Sequence, residues 1–331
     1  MEEFLLKILE IDSTTGKEEV LAKYLLANAK IGKAKVLSQP VTDRQRNLFF
    51  YWGKPKVIFC THLDTVAPHF LPYRQGRFIY GRGACDAKGQ ITALYQVCRE
   101  LVDEGQSNFG LLLLVREETD SLGAKKANQL ITGGDYLIVS EPTDNNLISA
   151  AKGALVVKVK ATGKAAHSGY PLAGISAVNN LVNFLAKLTK LKYAYDNLLG
   201  ETTYNIGKLK ADNPSNVLAK SAECELMFRT THASYHKIKA QLLRLAGSEI
   251  ELELNQGGSP IDFYTIPGLA TKTVAFGSDA PWLNNLGKPL LYGAGSILDA
   301  HTDRERLAVS ALNKAVKDLK RIYYKLLKTT S

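Results

Sequence analysis

The spacing of apolar and polar positions changes several times along this chain, and each change marks an element. Residues 1–31 carry apolar side chains at helical spacing, with Thr15 and Glu18 placed as a capping box before Val20, Leu21, Tyr24 and Leu25. A surface-type strand is predicted near residues 47–52. Val57, Ile58, Phe59 and Cys60 then form an unbroken apolar run after Pro55, the pattern of a strand buried on both faces. From Ile91 the period becomes helical, with Leu94, Val97, Cys98, Leu101 and Val102 on one face and Gly105 as the stop. A Leu-rich strand over 110–115 ends at Glu117 and Glu118. A helix with Gly123 near its start leads to a strand over 136–140 that ends at Glu141 and Pro142. Strand and helix in alternation predict an α/β fold, a mostly parallel sheet flanked by helices.

Near Lys152 the pattern becomes that of a smaller α+β domain. Residues 154–162 alternate as a half-exposed strand, and Ile175, Val178, Leu181, Val182 and Leu185 share a helical face. Strands follow over 202–209 and 216–230, then a helix over 235–245 and a strand over 249–254. Strand, helix, strand, strand, helix, strand is the ferredoxin-like order. Buried-strand texture resumes at 288–292, so residues 152–255 are read as an insertion within a first domain made of 1–151 and 256–331. No internal repeat or low-complexity segment is present.

Composition narrows the class only slightly. The net charge of +10, from 42 Lys plus Arg against 32 Asp plus Glu, suits an acidic partner or an anionic substrate. Much of the excess lies on Lys314, Lys317, Lys320, Arg321, Lys325 and Lys328, opposite the apolar Leu312, Val316 and Leu319, which reads as a solvated helix face. No nucleic-acid module accompanies it, so no nucleic-acid partner is expected. No apolar run approaches the roughly 18 to 20 residues of a membrane span, and Met1-Glu2-Glu3 lacks the order of a signal peptide. A cytoplasmic protein with no membrane partner is expected. Cys60, Cys85, Cys98 and Cys224 form no CxxC pair and read as reduced thiols.

The chemistry gathers at the carboxyl ends of the strands of the first domain, where open α/β sheets place their sites. His62 and Asp64 follow the first buried strand, Glu117 and Glu118 the second, and Glu141 the third. His301 follows the late strand, and a Gly-rich turn over residues 81–89 supplies Asp86. Acids and imidazoles on one rim need a cation to neutralise them. Two His with four or five carboxylates suit zinc, with cobalt or manganese as substitutes, and there are enough ligands for two ions. Asp64, two residues after His62, is expected to hold that imidazole in its metal-binding tautomer. Of the adjacent glutamates, one can face metal while the other acts as general base. The Gly-rich turn fails as a phosphate loop because Lys88 precedes the last Gly and no Ser or Thr follows. Cys85 reads as a small buried hydrophobe, and His69, His232 and His236 are unassigned.

The motifs THLDTV, GRGACDAKG, REETDSLGA, VSEPTD, AHSGYP and GAGSILDAHTDRE, in this order and over nearly the whole chain, resemble the acetylornithine deacetylase and succinyl-diaminopimelate desuccinylase family of co-catalytic zinc amidohydrolases, which includes aminoacylases and carboxypeptidases. The resemblance implies one metal on His62, Asp86 and Glu141 and a second on Asp86, Glu118 and His301, with Asp86 bridging. It implies Glu117 as general base, Asp64 behind His62, and a cis peptide at Asp86–Ala87. The inserted domain would be a lid and homodimer interface, with His167 stabilising an oxyanion. Arg229 would grip a substrate carboxylate, and Asn216, Ser278, Gly295 and Ser296 would line the pocket. Met227-Phe228 departs from the family's usual Asp-Ile before Arg229, and the chain is shorter than typical members.

The implied reaction is hydrolysis of the amide of an N-acyl amino acid, with acetylornithine deacetylase of arginine biosynthesis as the leading reading. The alternatives are a lysine or ornithine deacylase acting on intermediates held by an acidic carrier protein, an N-acetylcitrulline deacetylase, a succinyl-diaminopimelate desuccinylase and a metallo-dipeptidase. A non-catalytic binding protein on the same fold is the reading from another class, and the filled ligand positions speak against it.

Overall fold

The structure, a computed structural model, describes residues 1–29, 31–131 and 133–329. The chain divides into two compact units. The first holds Met1–Ser149, Asp262–Lys272 and Ser278–Ser331, the second Ala150–Ile261 and Thr273–Gly277. The second unit is thus longer at both ends than 152–255. Its extra residues are bonded into it: Ala154 N–H donates to Gly258 O at 2.9 Å and Lys152 N–H to Val274 O at 3.1 Å.

The larger sheet has nine strands, six of them wholly within the first unit. Its order runs Lys35–Thr42, Gln45–Trp52, Phe109–Leu114, Val57–His62, Tyr136–Val139, Lys288–Leu291, Leu147–Ala151 and Ile261–Asp262, with Thr271–Val274 also on Leu147–Ala151. The four strands from Phe109–Leu114 to Lys288–Leu291 are parallel to one another, and antiparallel strands flank them. The fold is α/β as expected, with the parallel character confined to the centre. All six residues of Val57–His62 and all six of Phe109–Leu114 are buried, as strands covered on both faces require. Helix Lys88–Asp103 packs against Val57–His62 and against helices Glu2–Leu9 and Val309–Thr329. Leu94, Val97, Cys98, Leu101, Leu312, Val316 and Leu319 lie in one core.

Three details differ from the sequence reading. The strand Gln45–Trp52 is nearly all buried, because helices Glu18–Asn28 and Leu122–Leu130 pack on it, and it is not the sheet edge, since Lys35–Thr42, which the pattern did not show, pairs with it. The first 29 residues form two helices, Glu2–Leu9 and Glu18–Asn28. Thr15 does not cap the second of these. Its hydroxyl donates instead to Asp64 Oδ2 at 2.9 Å, while the Glu18 carboxylate accepts from Gly16 N–H at 2.7 Å and from the Gln45 amide.

A small three-stranded sheet, Arg306–Ala308, Phe78–Tyr80 and Tyr73–Gln75, ties the segment before the Gly-rich turn to the segment after His301.

The second unit has a four-stranded antiparallel sheet in the order Thr203–Lys210, Ser221–Thr230, Gly153–Thr162, Ile250–Gln256. Helices Ala177–Leu188 and Tyr235–Leu245 supply the two crossovers, so the order is ferredoxin-like. Val157, Val159, Leu226 and Phe228 pack with Leu181, Phe184, Ile238 and Leu242 in its own core. The opposite face carries columns of alternating sign: Lys208 and Lys210, Glu223 and Glu225, Lys158 and Lys160, Glu251 and Glu253. Lys208 and Glu225 meet at 3.0 Å, and Lys158 and Glu253 at 3.3 Å.

Candidate active site

Three parallel strands deliver His62, the pair Glu117 and Glu118, and Glu141 to one place, where the Gly-rich turn adds Asp86 and a later loop adds His301. His62 ends the fully buried Val57–His62 strand, and its Nε2 lies 3.0 Å from Asp86 Oδ1 and 3.7 Å from Glu141 Oε2. His301, in the left-handed region with φ of 60°, places Nε2 3.0 Å from Glu118 Oε1 and 3.3 Å from Asp86 Oδ2. Asp86 therefore turns one oxygen to each imidazole. The peptide between Asp86 and Ala87 is cis. Three overlapping groups have ligand atoms within 4.8 Å of one another: His62, Asp86 and Glu141; Asp86, Glu118 and His301; and His62, Glu117 and Glu118.

Asp64 does more than the sequence suggested, and by a different route. His62 Nδ1 lies 2.9 Å from the main-chain oxygen of Asp64 and 3.5 Å from its carboxylate. A carbonyl can only accept, so Nδ1 carries a proton, and Nε2, 3.0 Å from Asp86, is the nitrogen left for a metal once the proton it shares with that carboxylate is displaced. The fully buried carboxylate is spent on the neighbouring turn. Its Oδ1 accepts from Glu117 N–H at 3.0 Å, and its Oδ2 from Glu118 N–H at 3.1 Å and from the Thr15 hydroxyl. One side chain thus sets the backbone of both glutamates.

Charge in this cluster is unbalanced. Burial pushes Glu117 well above the usual carboxylate range; His62 opposes this, and Glu141, Asp279 and Glu118 reinforce it. Burial likewise pushes Glu141 up to about 7. Burial alone would depress His62, but Glu141, Asp64 and Asp86 hold it well above its ordinary value. Hydrogen bonds to Asp86 and Glu118 push His301 up to about 10. Burial would raise Asp86, yet hydrogen bonds from His301 and His62 hold it below the usual range. These acids keep each other protonated or draw protons onto the imidazoles, which is the behaviour of a donor set built to surround positive charge. Two imidazole nitrogens and three carboxylates at these spacings fit a pair of divalent ions.

Asp279 lies in the loop over residues 277–280 that the family resemblance places beside the pocket, but no role of its own was expected for it. It is 2% exposed, neither oxygen has a hydrogen-bond partner of ordinary geometry, and burial pushes it up to about 7. It acts electrostatically on Glu117, Glu141 and Cys60. Its sequence signal is its place in that loop, between Ser278 and the apolar Ala280-Pro281-Trp282. Cys85 is buried and belongs to none of the three ligand groups.

The remaining candidates separate by unit. Ser278 is buried in the first unit, with its hydroxyl accepting from Ala280 N–H at 3.4 Å. Gly295 has φ of 80°, and a Cβ there would meet Leu307 at 2.8 Å and Cys85 at 3.0 Å, so it is a close-packing position. Ser296 accepts the Cys85 thiol on its main-chain oxygen. In the second unit His167 is exposed, and its Nδ1 accepts from Gly169 N–H at 3.1 Å, which leaves the proton on Nε2 as an outward donor. Asn216 joins the same loop pair, its main-chain oxygen accepting from Ser168 N–H. Arg229 lies near the end of Ser221–Thr230, with Nη1 3.8 Å from where a Cβ on Gly277 would sit.

The profile of peptidase family M20/M25/M40 matches residues 58–325. A peptidase M20 domain-containing protein of Schizosaccharomyces pombe is 35% identical over 95% of this chain and 82% of its own length. A probable carboxypeptidase of Aspergillus flavus is 31% identical over 95% and 87%. Among solved structures, a tripeptidase of Staphylococcus aureus shares the fold with a TM-score of 0.81, at 21% identity over 97% of this chain and 96% of that one. By family profile and relatives alike, the chain belongs to peptidase family M20/M25/M40 and is a hydrolase of peptide or amide bonds.

Proposed function

We propose that the chain is a dinuclear metal-dependent hydrolase that cleaves the amide of an acyl–NH–CHR–COO⁻ unit, with N-acetylornithine as the leading substrate. The observation that supports it best is Asp86, whose two oxygens face two different histidines 3.0 and 3.3 Å away. His62, Asp86 and Glu141 would hold one ion and Asp86, Glu118 and His301 the other, with zinc expected. The ions supply the charge that acidifies water and polarises the amide carbonyl.

The chain's own residues do the rest. Glu117, fixed through its amide by Asp64, takes the proton of the attacking water as the new C–O bond forms. The C–N bond then breaks, and Glu117 returns that proton to the departing amine. His167, with its proton on Nε2, donates to the oxyanion, and Arg229 pairs with the substrate carboxylate.

An N-acyl amino acid and the carboxyl-terminal residue of a small peptide present the same scissile unit. The relatives named as carboxypeptidases therefore favour a second reading, removal of a carboxyl-terminal residue from a short peptide. Initial rates on N-acetylornithine, N-acetylcitrulline, N-succinyl-diaminopimelate, dipeptides and a lysine- or ornithine-loaded acidic carrier protein decide between them. A tenfold or greater preference for dipeptides would overturn the N-acetylornithine assignment. Glu117→Ala should keep two metal ions and lose about 10² to 10⁴ in kcat; near-normal turnover with metal retained would overturn the mechanism.

A further inference from the structure

The Gly-rich turn over residues 81–89 is no phosphate loop, yet its amides do face an anion, and that anion is the chain's own. Glu305 is completely buried. Its Oε1 accepts from the main-chain N–H groups of Cys85 at 3.1 Å and Asp86 at 3.0 Å, and from the Cys85 thiol at 3.6 Å. Its Oε2 accepts from Arg82 Nη1 at 2.8 Å, and its main-chain oxygen accepts from Gly81 N–H at 3.1 Å. Arg82 is itself 1% exposed. Its Nε donates to Pro68 O at 3.0 Å, and its guanidinium lies 5.2 Å from the Phe70 ring centre. Four residues before Glu305 stands His301, facing the other oxygen of Asp86.

Glu305 thus joins two segments more than 200 residues apart in sequence, and it grips one of them by the amide of Asp86 itself. Burying a carboxylate and a guanidinium is costly, and an apolar pair of similar size would pack the same space at lower cost. What an apolar pair cannot do is hold an amide N–H in a set direction.

We propose that Glu305 is a positioning residue for the metal centre: it fixes the peptide that carries Asp86 in register with His301, so that Asp86 offers one oxygen to each ion. This rests on the dinuclear reading above. Outer carboxylates of this kind change metal affinity by about 10- to 100-fold when removed.

The test is zinc and cobalt titration of the chelator-stripped full chain by calorimetry, with the visible absorption of bound cobalt as a second readout. Wild type should take two ions. Glu305→Gln keeps the size but must turn its NH₂ toward either Arg82 or the two amides, so a donor faces a donor. It should bind about 10-fold or more weakly and shift the cobalt spectrum. Glu305→Ala should bind more weakly still. Asp196→Asn, a destabilising change in the second unit, serves as the stability control and should bind as wild type does. Folded Glu305→Gln with affinity within twofold of wild type and an unchanged cobalt spectrum overturns the proposal, even if Glu305→Ala fails to fold. An equal loss of affinity in Asp196→Asn also overturns it, because general stability would then account for the effect. Wild type that takes no divalent metal overturns the dinuclear reading and this inference with it.

Discussion

Replacing Asp64 separates two accounts of what its carboxylate does. If the carboxylate set the tautomer of His62, Asp64→Asn would loosen the metal held by His62. The structure instead assigns that task to the main-chain oxygen of Asp64, 2.9 Å from Nδ1, which survives the substitution. The carboxylate accepts three hydrogen bonds, from Thr15 at 2.9 Å, Glu117 N–H at 3.0 Å and Glu118 N–H at 3.1 Å. Hydrogen bonds to a charged acceptor contribute about 1.5 to 3 kcal/mol each, and a buried donor left unpaired costs about 1 to 3 kcal/mol. Asp64→Asn keeps one oxygen and turns an NH₂ group toward a former donor, so about 1.5 to 3 kcal/mol is lost. Asp64→Ala strands both glutamate amides and costs about 2 to 6 kcal/mol. Thr15→Val removes one of these bonds and costs about 1.5 to 3 kcal/mol.

Urea unfolding in the presence of chelator reads these losses without the contribution of bound metal. Activity should follow a different course. With its amide released, Glu117, the proposed general base, shifts, and a displacement of about 1 Å costs roughly 10²-fold in rate. Asp64→Asn should therefore keep the ion proposed on His62 while kcat falls about 10²-fold, any loss of affinity being confined to the ion proposed on Glu118, whose amide the carboxylate also holds. Loss of the ion on His62 with little change in stability would refute the assignment and restore the carboxylate as the partner of His62. Wild-type stability together with wild-type kcat would refute both accounts.

His167→Ala should lower kcat by about 10² to 10³ with two ions still bound, measured by initial rates alongside metal analysis. In the second unit, Asp196 accepts from the amides of Leu199 at 2.9 Å, Leu198 at 3.0 Å and Ala233 at 3.1 Å, which hold its carboxyl below the usual range. With a depressed folded-state pKa, its stabilisation is complete above the unfolded value of about 3.9 and is lost as pH falls through the lower folded value. Circular dichroism during acid titration should show Asp196→Asn less stable at neutral pH and with a shallower loss below about pH 4. Gly123→Ala would place a Cβ 2.2 Å from Val115 O and 2.8 Å from Asn47 Oδ1. Thermal melts should show a loss of about 1 to 3 kcal/mol, with kcat also reduced because Val115 leads directly into the glutamate pair.

Where local pattern governed, the sequence was readable. Val57–His62 has no polar interruption before Thr61, and its burial on both faces follows from that. The helix Tyr235–Leu245 falls on the expected residues because Ile238 and Leu242 sit one turn apart. The meeting of His62, Glu118 and Glu141 was foreseeable because parallel strands point their carboxyl ends one way, whereas Asp86 and His301 arrive on longer loops that only the motifs flagged.

What the sequence hid was set by distant partners. Lys35–Thr42 shows no strand pattern, with Ser38, Gln39 and Pro40 in its middle. An edge strand tolerates them, since one side of it makes no ladder. Thr15 and Glu18 have the spacing of a capping box, but a buried carboxylate 49 residues away bound the hydroxyl more favourably than an exposed helix end would. That His62 lies closer to the main-chain oxygen of Asp64, at 2.9 Å, than to its carboxylate, at 3.5 Å, is invisible in residue types, because both belong to one residue. Glu305 acts across 219 residues on the amide of Asp86, and no spacing rule reaches so far.

The strand Lys288–Leu291 lies between Tyr136–Val139 and Leu147–Ala151, both of which are synthesised long before it. On the ribosome the earlier strands must wait with a polar backbone edge and an apolar surface unpartnered, a condition that invites wrong pairing. The four strands of the second unit's sheet, by contrast, are all complete by Gln256, so that sheet closes while the first is still missing a central strand. Translation therefore finishes the insertion before its host. His301 emerges last of the ligand residues, and a chain halted short of it holds only His62, Asp86, Glu141 and the glutamate pair.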